Sequence, residues 1–559
     1  MDERQSAINR RRFIECFSAA GLGSALLPGA LAAVAQDAAT ITIDMVRDAL
    51  RIAGVSFTPD EQWRLLEKLN GARGYIAGFE RLRAANLGST QPAIVFNPVP
   101  PGKKLPTERR PMRRAAIDAS MPASDEQLAF LPLTHLAKLV ETRQVTPTDL
   151  TKLYLARLQK YDPQLHCVVN LTEELALRQA RQADQEIAAG TYRGPLHGIP
   201  YGLKDLFAVR GVKTTWGMTP FKNRIVDADA TVDSKLTKAG AILIAKLSTG
   251  AIAVTAQWFG GLTRNPWNTE QDASGSSAGP GSATAAGLVG FSVGSDTGGS
   301  IIQPSTRNGV SGLRPTFGRV SRYGGMTLAW TQDTVGPMCR SAEDCALVLE
   351  AFCGPDGKDN TIIDVPFNWD ASADVATLRV GYLRAGDGPI DEETRGNNDN
   401  ALRVIRSLGI TPVPFALPDV PIEAIDFIRY AETSAAFDEE TRAGVLRQTE
   451  EGPEQSRRPD EIRAGRFIPA VEFIQANRFR MRVMEQVDAA LGDLDLFIGS
   501  NQALTNRTGH PVMSIPNGFS KAAPTALHLT GKLFGEQQLL LLAHAFQAKT
   551  DFHTRHPRI

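Results

Sequence analysis

The chain has 559 residues, with 61 Lys and Arg against 61 Asp and Glu, 42% hydrophobic and 22% charged residues. These are ordinary globular values in a chain too long for one small core, so one large domain with an appendage, or two domains, is expected. A formal net charge of zero leaves no overall field to draw nucleic acid or an anionic membrane as the main partner.

The chain opens on a leader pattern. Arg10-Arg11-Arg12-Phe13 fits a twin-arginine motif, Phe17 to Val34 is apolar and small, and Ala33-Val34-Ala35 offers an A-x-A cleavage site before Gln36. Four glycines or prolines interrupt the apolar run, which favours a cleaved export signal at 1–35 over a membrane anchor. A periplasmic or secreted protein, with no stable membrane association after cleavage, is the corresponding expectation. Residues 36–90 read as a helical appendage, in which Thr58-Pro59-Asp60-Glu61 combines a capping residue, Pro at the first helical position and a Glu placed for a capping box. Six prolines and a basic cluster between Gln91 and Arg114 then mark 91–123 as an extended connector.

From 124 to the C-terminus the pattern alternates. LPLTHLAKLVETRQ and the stretch from Thr146-Pro147-Thr148-Asp149 into LTKLYLARLQKY read as amphipathic helices, and ATVDSKLTKAG as another. IPYGLKD, AILIAKL, GFSVGSD, LRVGYL, DLFIGSN, PVMSIPNG and ALHLTGKL read as strands, so a layered α/β fold around a mostly buried sheet is expected. Residues 386–466 are long, charged and mostly helical in pattern. Cys16 sits too early in the leader for a lipoprotein cysteine. Cys167, Cys339, Cys345 and Cys353 form no C-x-x-C pair and read as small buried hydrophobes, and the eight histidines show no metal-ligand spacing. No metal and no cofactor are implied.

The stretch with chemical content is GSSAGPGSATAAGLVGFSVGSDTGGSIIQPS, from Gly275 to Ser305. Two turns rich in glycine and serine flank an alanine-rich run and a short apolar run that ends at Asp296. Glycines let a backbone adopt positive φ and approach a ligand closely, and successive N–H groups in such a turn can cradle an oxyanion. Ser300 follows Gly298 and Gly299 there, and the N–H groups of Thr297, Gly298, Gly299 and Ser300 are candidates to converge on one point. Lys204 ends an apolar run from Ile199, where burial would lower its pKa and fit it to act as a base, but a lysine beside Asp205 also reads as half of a surface ion pair.

Ser274-Gly275-Ser276-Ser277-Ala278-Gly279 followed by Gly294-Ser295-Asp296-Thr297-Gly298-Gly299-Ser300 resembles the signature of the amidase signature family. Further stretches fall in that family's order: Gly198 to Asp205, Asp229-Ala230-Thr231-Val232, Arg264-Asn265-Pro266-Trp267, Gly312 to Thr316, Thr508-Gly509-His510-Pro511 and Ile515-Pro516-Asn517-Gly518. The resemblance covers about 125–556. It implies an α/β/α sandwich around a large twisted mixed sheet, with insertions such as 386–466 shaping the pocket. It implies that Ser300 is the nucleophile, that Ser276, after a cis peptide bond, relays its proton to Lys204, and that Ser277 supports. Thr297, Gly298 and Gly299 would bind the oxyanion. The family usually has arginine where this chain has Ile302, and glycine where it has Ala278, here followed by Pro280.

Two other motif readings compete. Gly275 to Gly279 is literally G-x-S-x-G, the nucleophile elbow that would make Ser277 the nucleophile, but the residues before it, TRNPWNTEQDA, are polar and turn-like where an elbow needs a buried strand. Asp296-Thr297-Gly298 matches the aspartic-protease tripeptide, yet no second D-T-G or D-S-G occurs. His197 and His510 sit in turns as structural or pocket-lining residues. The reading is therefore an exported hydrolase of linear amides, acting on a small-molecule carboxamide and not on nucleic acid, with related anilides, aryl esters and carbamates in range and a homodimer left open. The alternatives are the glutaminase component of a tRNA-dependent amidotransferase and a weakly catalytic binding protein of the same fold.

Overall fold

The computed structural model describes residues 41–70, 75–84, 87, 90–383, 391–454 and 456–559. The leader expected at 1–35, with Cys16, lies outside them. The chain divides into two compact units at Leu87/Gly88. In the first, helices Ile43–Ala53, Pro59–Asn70 and Tyr75–Ala84 follow one another. The start signal at Thr58 works as a capping box, with Thr58 N–H donating to Glu61 Oε2 at 2.7 Å and Glu61 N–H to Thr58 Oγ1 at 3.4 Å.

The second unit is built on one mixed sheet, which among the described residues has eleven strands. In chain order they are β1 Val168–Leu171, β2 Pro200–Lys204, β3 Ile242–Leu247, β4 Phe291–Asp296, β5 Ser311–Arg314, β6 Thr334–Cys339, β7 Val380–Leu383, β8 Val413–Phe415, β9 Leu496–Ile498, β10 Val512–Ser520 and β11 Ala523–Gly531. Their order across the sheet is β1-β3-β2-β4-β6-β5-β10-β11-β9-β7-β8. Strands β2, β3 and β6 are buried along their whole length. That is the consequence of helices on both faces, and it explains why IPYGLK and AILIAKL read as unbroken apolar runs and not as alternating ones.

Strands β3, β2 and β4 are mutually parallel, with Lys204 paired to Leu247 and Leu203 to Val293. Their C-terminal ends therefore reach one edge together, and each opens into a loop there, the usual place for a site in an α/β sheet. The helix Ala278–Ala285 between the two glycine-rich turns consists of small residues, all buried. No larger side chain fits: a Cβ on Gly279 would come within 2.4 Å of the Ser248 nitrogen. The proline-rich segment lies along this unit, with Phe96 against Phe317 at 5.1 Å and Arg113 bridged to Asp370.

Candidate active site

At the end of β2, Lys204 and Asp205 part company. Asp205 turns to the neighbouring strand, where Lys246 Nζ donates to its Oδ1 at 2.9 Å and the Thr215 N–H to its Oδ2 at 2.9 Å, all fully buried. The surface ion pair that the sequence allowed for Lys204 is thus ruled out, because Asp205 has another partner. Lys204, itself 0% exposed, faces hydroxyls: its Nζ lies 2.8 Å from Ser276 Oγ, 3.0 Å from Ser277 Oγ and 3.0 Å from Ser295 Oγ. Burial pushes its pKa down to about 7, although the charges of Asp296 and Asp333 act in the opposite sense. A neutral amine has two N–H bonds and one lone pair. With the N–H groups directed to Ser277 and Ser295, the lone pair is left for the Ser276 hydroxyl.

The Gly275–Ser276 peptide is cis, as the resemblance implies. Ser277 is fully buried, donates to the Ser295 carbonyl at 3.1 Å and stands at the start of the helix Ala278–Ala285. The strand before it, Asn268–Asp272, is mostly exposed, so the elbow reading lacks both an accessible hydroxyl and a buried strand. Ser277 N–H donates to the Ser300 carbonyl at 3.2 Å, which brings the first glycine-rich turn against the second. Ser300 is half-buried, and among the described residues its hydroxyl makes no hydrogen bond, to Ser276 or to any other group.

Asp296 organises the second turn. Its Oδ1 accepts from Gly299 N–H at 2.7 Å and from Asn506 Nδ2 at 2.9 Å, its Oδ2 from Ile301 N–H at 2.7 Å, and Arg314 Nε lies 3.5 Å away. The amide of Gly299, one of the expected oxyanion donors, thus donates to a carboxylate in this structure. Among the described residues the amides of Thr297, Gly298 and Ser300 have no such partner. Gly299 contributes backbone shape instead: its φ is +108°, and a Cβ there would meet Gln502 Oε1 at 2.1 Å. Thr297 is held by its hydroxyl, which donates to Asp333 Oδ1 at 2.6 Å. Asp296 is in no position to act as an aspartic-protease acid, because its lone pairs are taken by this turn.

Ile302 is fully buried among Ala285, Ile301, Val310, Met338 and Val512, so the position that is usually arginine points into the core here. His197 is tied to Glu186, and His510 is pushed by burial to about 3 and bonded to Thr508, both as structural groups. Cys167, Cys339 and Cys345 are buried free thiols. Sequence reasoning assigned no role to Ser295, Asp333, Arg314 or Asn506. The last three act on the turn from 18 to 210 residues away, and of them only Arg314 falls in a stretch that the sequence marked, Gly312 to Thr316.

A family model described as Amidase matches residues 149–499. The chain belongs to the amidase family. It is 34% identical over 481 residues to the A component of the glutamyl-tRNA(Gln) amidotransferase of Methylococcus capsulatus, spanning 76% of this chain and 98% of that relative. The corresponding component from an Azoarcus species is 34% identical over 486 residues, with 76% and 99% covered. Among solved structures, native peptide amidase from Stenotrophomonas maltophilia superposes with a TM-score of 0.68 at 27% identity, covering 76% of this chain and 97% of that one. As a family member the chain is an amide hydrolase or an amidotransferase component, and the sheet and its surrounding helices are those of the amidase fold.

Proposed function

We propose that this amidase hydrolyses linear carboxamides through an acyl-enzyme on Ser300, with Ser276 and Lys204 as the proton relay. The observation that carries the reading is a fully buried lysine with no carboxylate partner, 2.8 Å from Ser276 Oγ and one serine away from an unencumbered hydroxyl on a glycine turn. Ser300 Oγ attacks the carbonyl carbon while its proton passes to Ser276 and the proton of Ser276 to Lys204 Nζ. The amides of Thr297, Gly298 and Ser300 receive the oxyanion. Collapse of the tetrahedral adduct breaks the C–N bond, the relay returns a proton to the departing amine, and water then hydrolyses the ester by the same path.

Treatment with a serine-reactive fluorophosphonate followed by intact-mass measurement tests this. One adduct is expected on wild type and Ser277→Ala, and none on Ser300→Ala. Loss of the adduct in Ser277→Ala alone would move the nucleophile, and absence of any adduct would favour a binding protein.

The curated relatives favour a second reading, in which the chain is an amidotransferase component that releases ammonia for a partner. The leader pattern favours a free-standing, exported hydrolase instead, because aminoacyl-tRNA chemistry takes place in the cytoplasm. A mature N-terminus near Gln36 in a periplasmic fraction would support export. An uncleaved chain that co-purifies with partner proteins would support the amidotransferase.

A further inference from the structure

Beside the oxyanion turn lies a narrow cleft that opens to solvent. Ser295, which binds Lys204, and Thr297, which opens the turn, both line it. Its apolar wall is formed by Leu206, Phe207, Ala253, Met326, Leu328 and Trp330, and Gln91, Thr327 and Thr334 add uncharged polar groups. The backbone at Ala253 is unusual, with Ile252 and Ala253 both at φ +51°, and Gly250 N–H in the same loop donates to the Ser276 carbonyl at 3.4 Å.

Two charged residues, Arg322 and Asp333, also line the cleft, and both are saturated by the protein itself. Arg322 gives Nε and Nη2 to the two oxygens of Asp359 at 3.1 and 3.2 Å, and Nη1 to the Trp330 carbonyl at 2.5 Å. Asp333 receives Thr297 Oγ1 on one oxygen and the N–H groups of Leu328 and Ala329, at 2.8 and 3.0 Å, on the other. Behind the wall, the buried Glu432 and Arg480 are turned to Thr331. On the other side of the nucleophile turn stand two neutral amides bonded to each other, Gln303 Nε2 to Gln502 Oε1 at 3.1 Å. Among the described residues the cleft thus offers apolar surface, hydroxyls and the Gln91 amide, but no charge free to pair with a ligand.

We infer that the substrate of this site is an uncharged amide with an apolar body, and that free amino-acid amides such as glutamine are excluded. The inference rests on the reading of Ser300 as nucleophile. An ammonium or carboxylate brought into the cleft would lose its hydration without gaining a counter-ion, whereas an alkyl or aryl group gains contact with Leu206, Met326 and Trp330.

The test uses the full-length protein and four amides: hexanamide, 6-aminohexanamide, adipic acid monoamide and L-glutamine. Ammonia release is measured together with protection of Ser300 from fluorophosphonate. Hexanamide is expected to exceed each charged amide at least 100-fold in kcat/KM, and to protect where they do not. Thr327→Lys, which adds a free cation at the half-exposed lip of the cleft, is expected to improve the acid monoamide relative to hexanamide at least tenfold without loss of labelling. If Ser300 labels normally but L-glutamine or another charged amide is equal or better, or no amide protects, the inference falls and the nucleophile stands. If Ser300 does not label, both fall.

Discussion

At the scale of single residues, the proposed relay turns on the protonation of Lys204. Burial favours the neutral amine, Asp296 and Asp333 favour the ammonium, and burial wins, leaving the group at about 7. Only the neutral amine can accept the Ser276 proton, so kcat/KM is expected to rise with pH through an acidic limb near 7. Lys204→Arg should lower kcat at least about 10³-fold, since a guanidinium keeps its proton throughout. A profile flat from pH 5 to 9 would remove Lys204 from the base role. The same shift has a consequence for stability. Between about pH 7 and 10 the unfolded chain holds a proton on this lysine that the folded chain does not, so stability rises with pH there. The total gain is on the order of 4–5 kcal/mol. Denaturant titrations at pH 7 and pH 9.5 should register this gain in wild type and not in Lys204→Met.

At the scale of elements, the turn after β4 depends on one carboxylate. Asp296 gathers the amides of Gly299 and Ile301, the Asn506 side chain and the Arg314 guanidinium, and so sets which N–H groups remain for an oxyanion. Asp296→Asn would direct an NH₂ at groups that are themselves donors and leave Arg314 without a counter-charge in the interior. The expected result is a loss of about 3 kcal/mol in stability and about 100-fold in kcat. Denaturant unfolding and the rate of fluorophosphonate labelling check the two parts separately. An unchanged labelling rate would mean that the turn keeps its shape without the carboxylate.

At the scale of the whole molecule, a buried pair fastens the C-terminal helix to the centre of the chain. Arg319 Nη2 lies 2.7 Å from Glu536 Oε2, and Glu536 Oε1 accepts the Thr316 N–H at 2.8 Å. Burial would raise the Glu536 pKa, but Arg319 and the Thr316 hydrogen bonds hold it below the ordinary value. Its contribution is therefore present above the unfolded carboxylate range, near pH 4, and is lost as the pH falls through the folded value. Glu536→Ala is expected to cost about 3–5 kcal/mol at pH 7 by stranding Arg319, measured by chemical denaturation. At this scale much was legible from local pattern. The runs Ile199 to Leu203 and Ala241 to Leu247 became β2 and β3, and Thr146 caps the helix Pro147–Leu165 by accepting from Asp149 N–H at 3.0 Å. Strand β6 was not legible: it reads TVGPMC, and the Gly and Pro that argue against a central strand are overruled by pairing on both sides, Pro337 opposite Val293 and Met338 opposite Gly312. The sequence by itself determined the two glycine-rich turns, the order of the family motifs and the lysine at a strand end, because each is a property of a few consecutive residues. Tertiary structure alone decided that Asp205 pairs with Lys246 and leaves Lys204 to the serines, and that Gly299 gives its amide to Asp296. It alone decided that Arg322 and Asp333 meet the cleft with their hydrogen-bonding groups already taken. The pairing of Asp205 with Lys246 and the setting of Lys204 among the serines depend on desolvation and on partners 41 to 91 residues away, which only the folded sheet brings together.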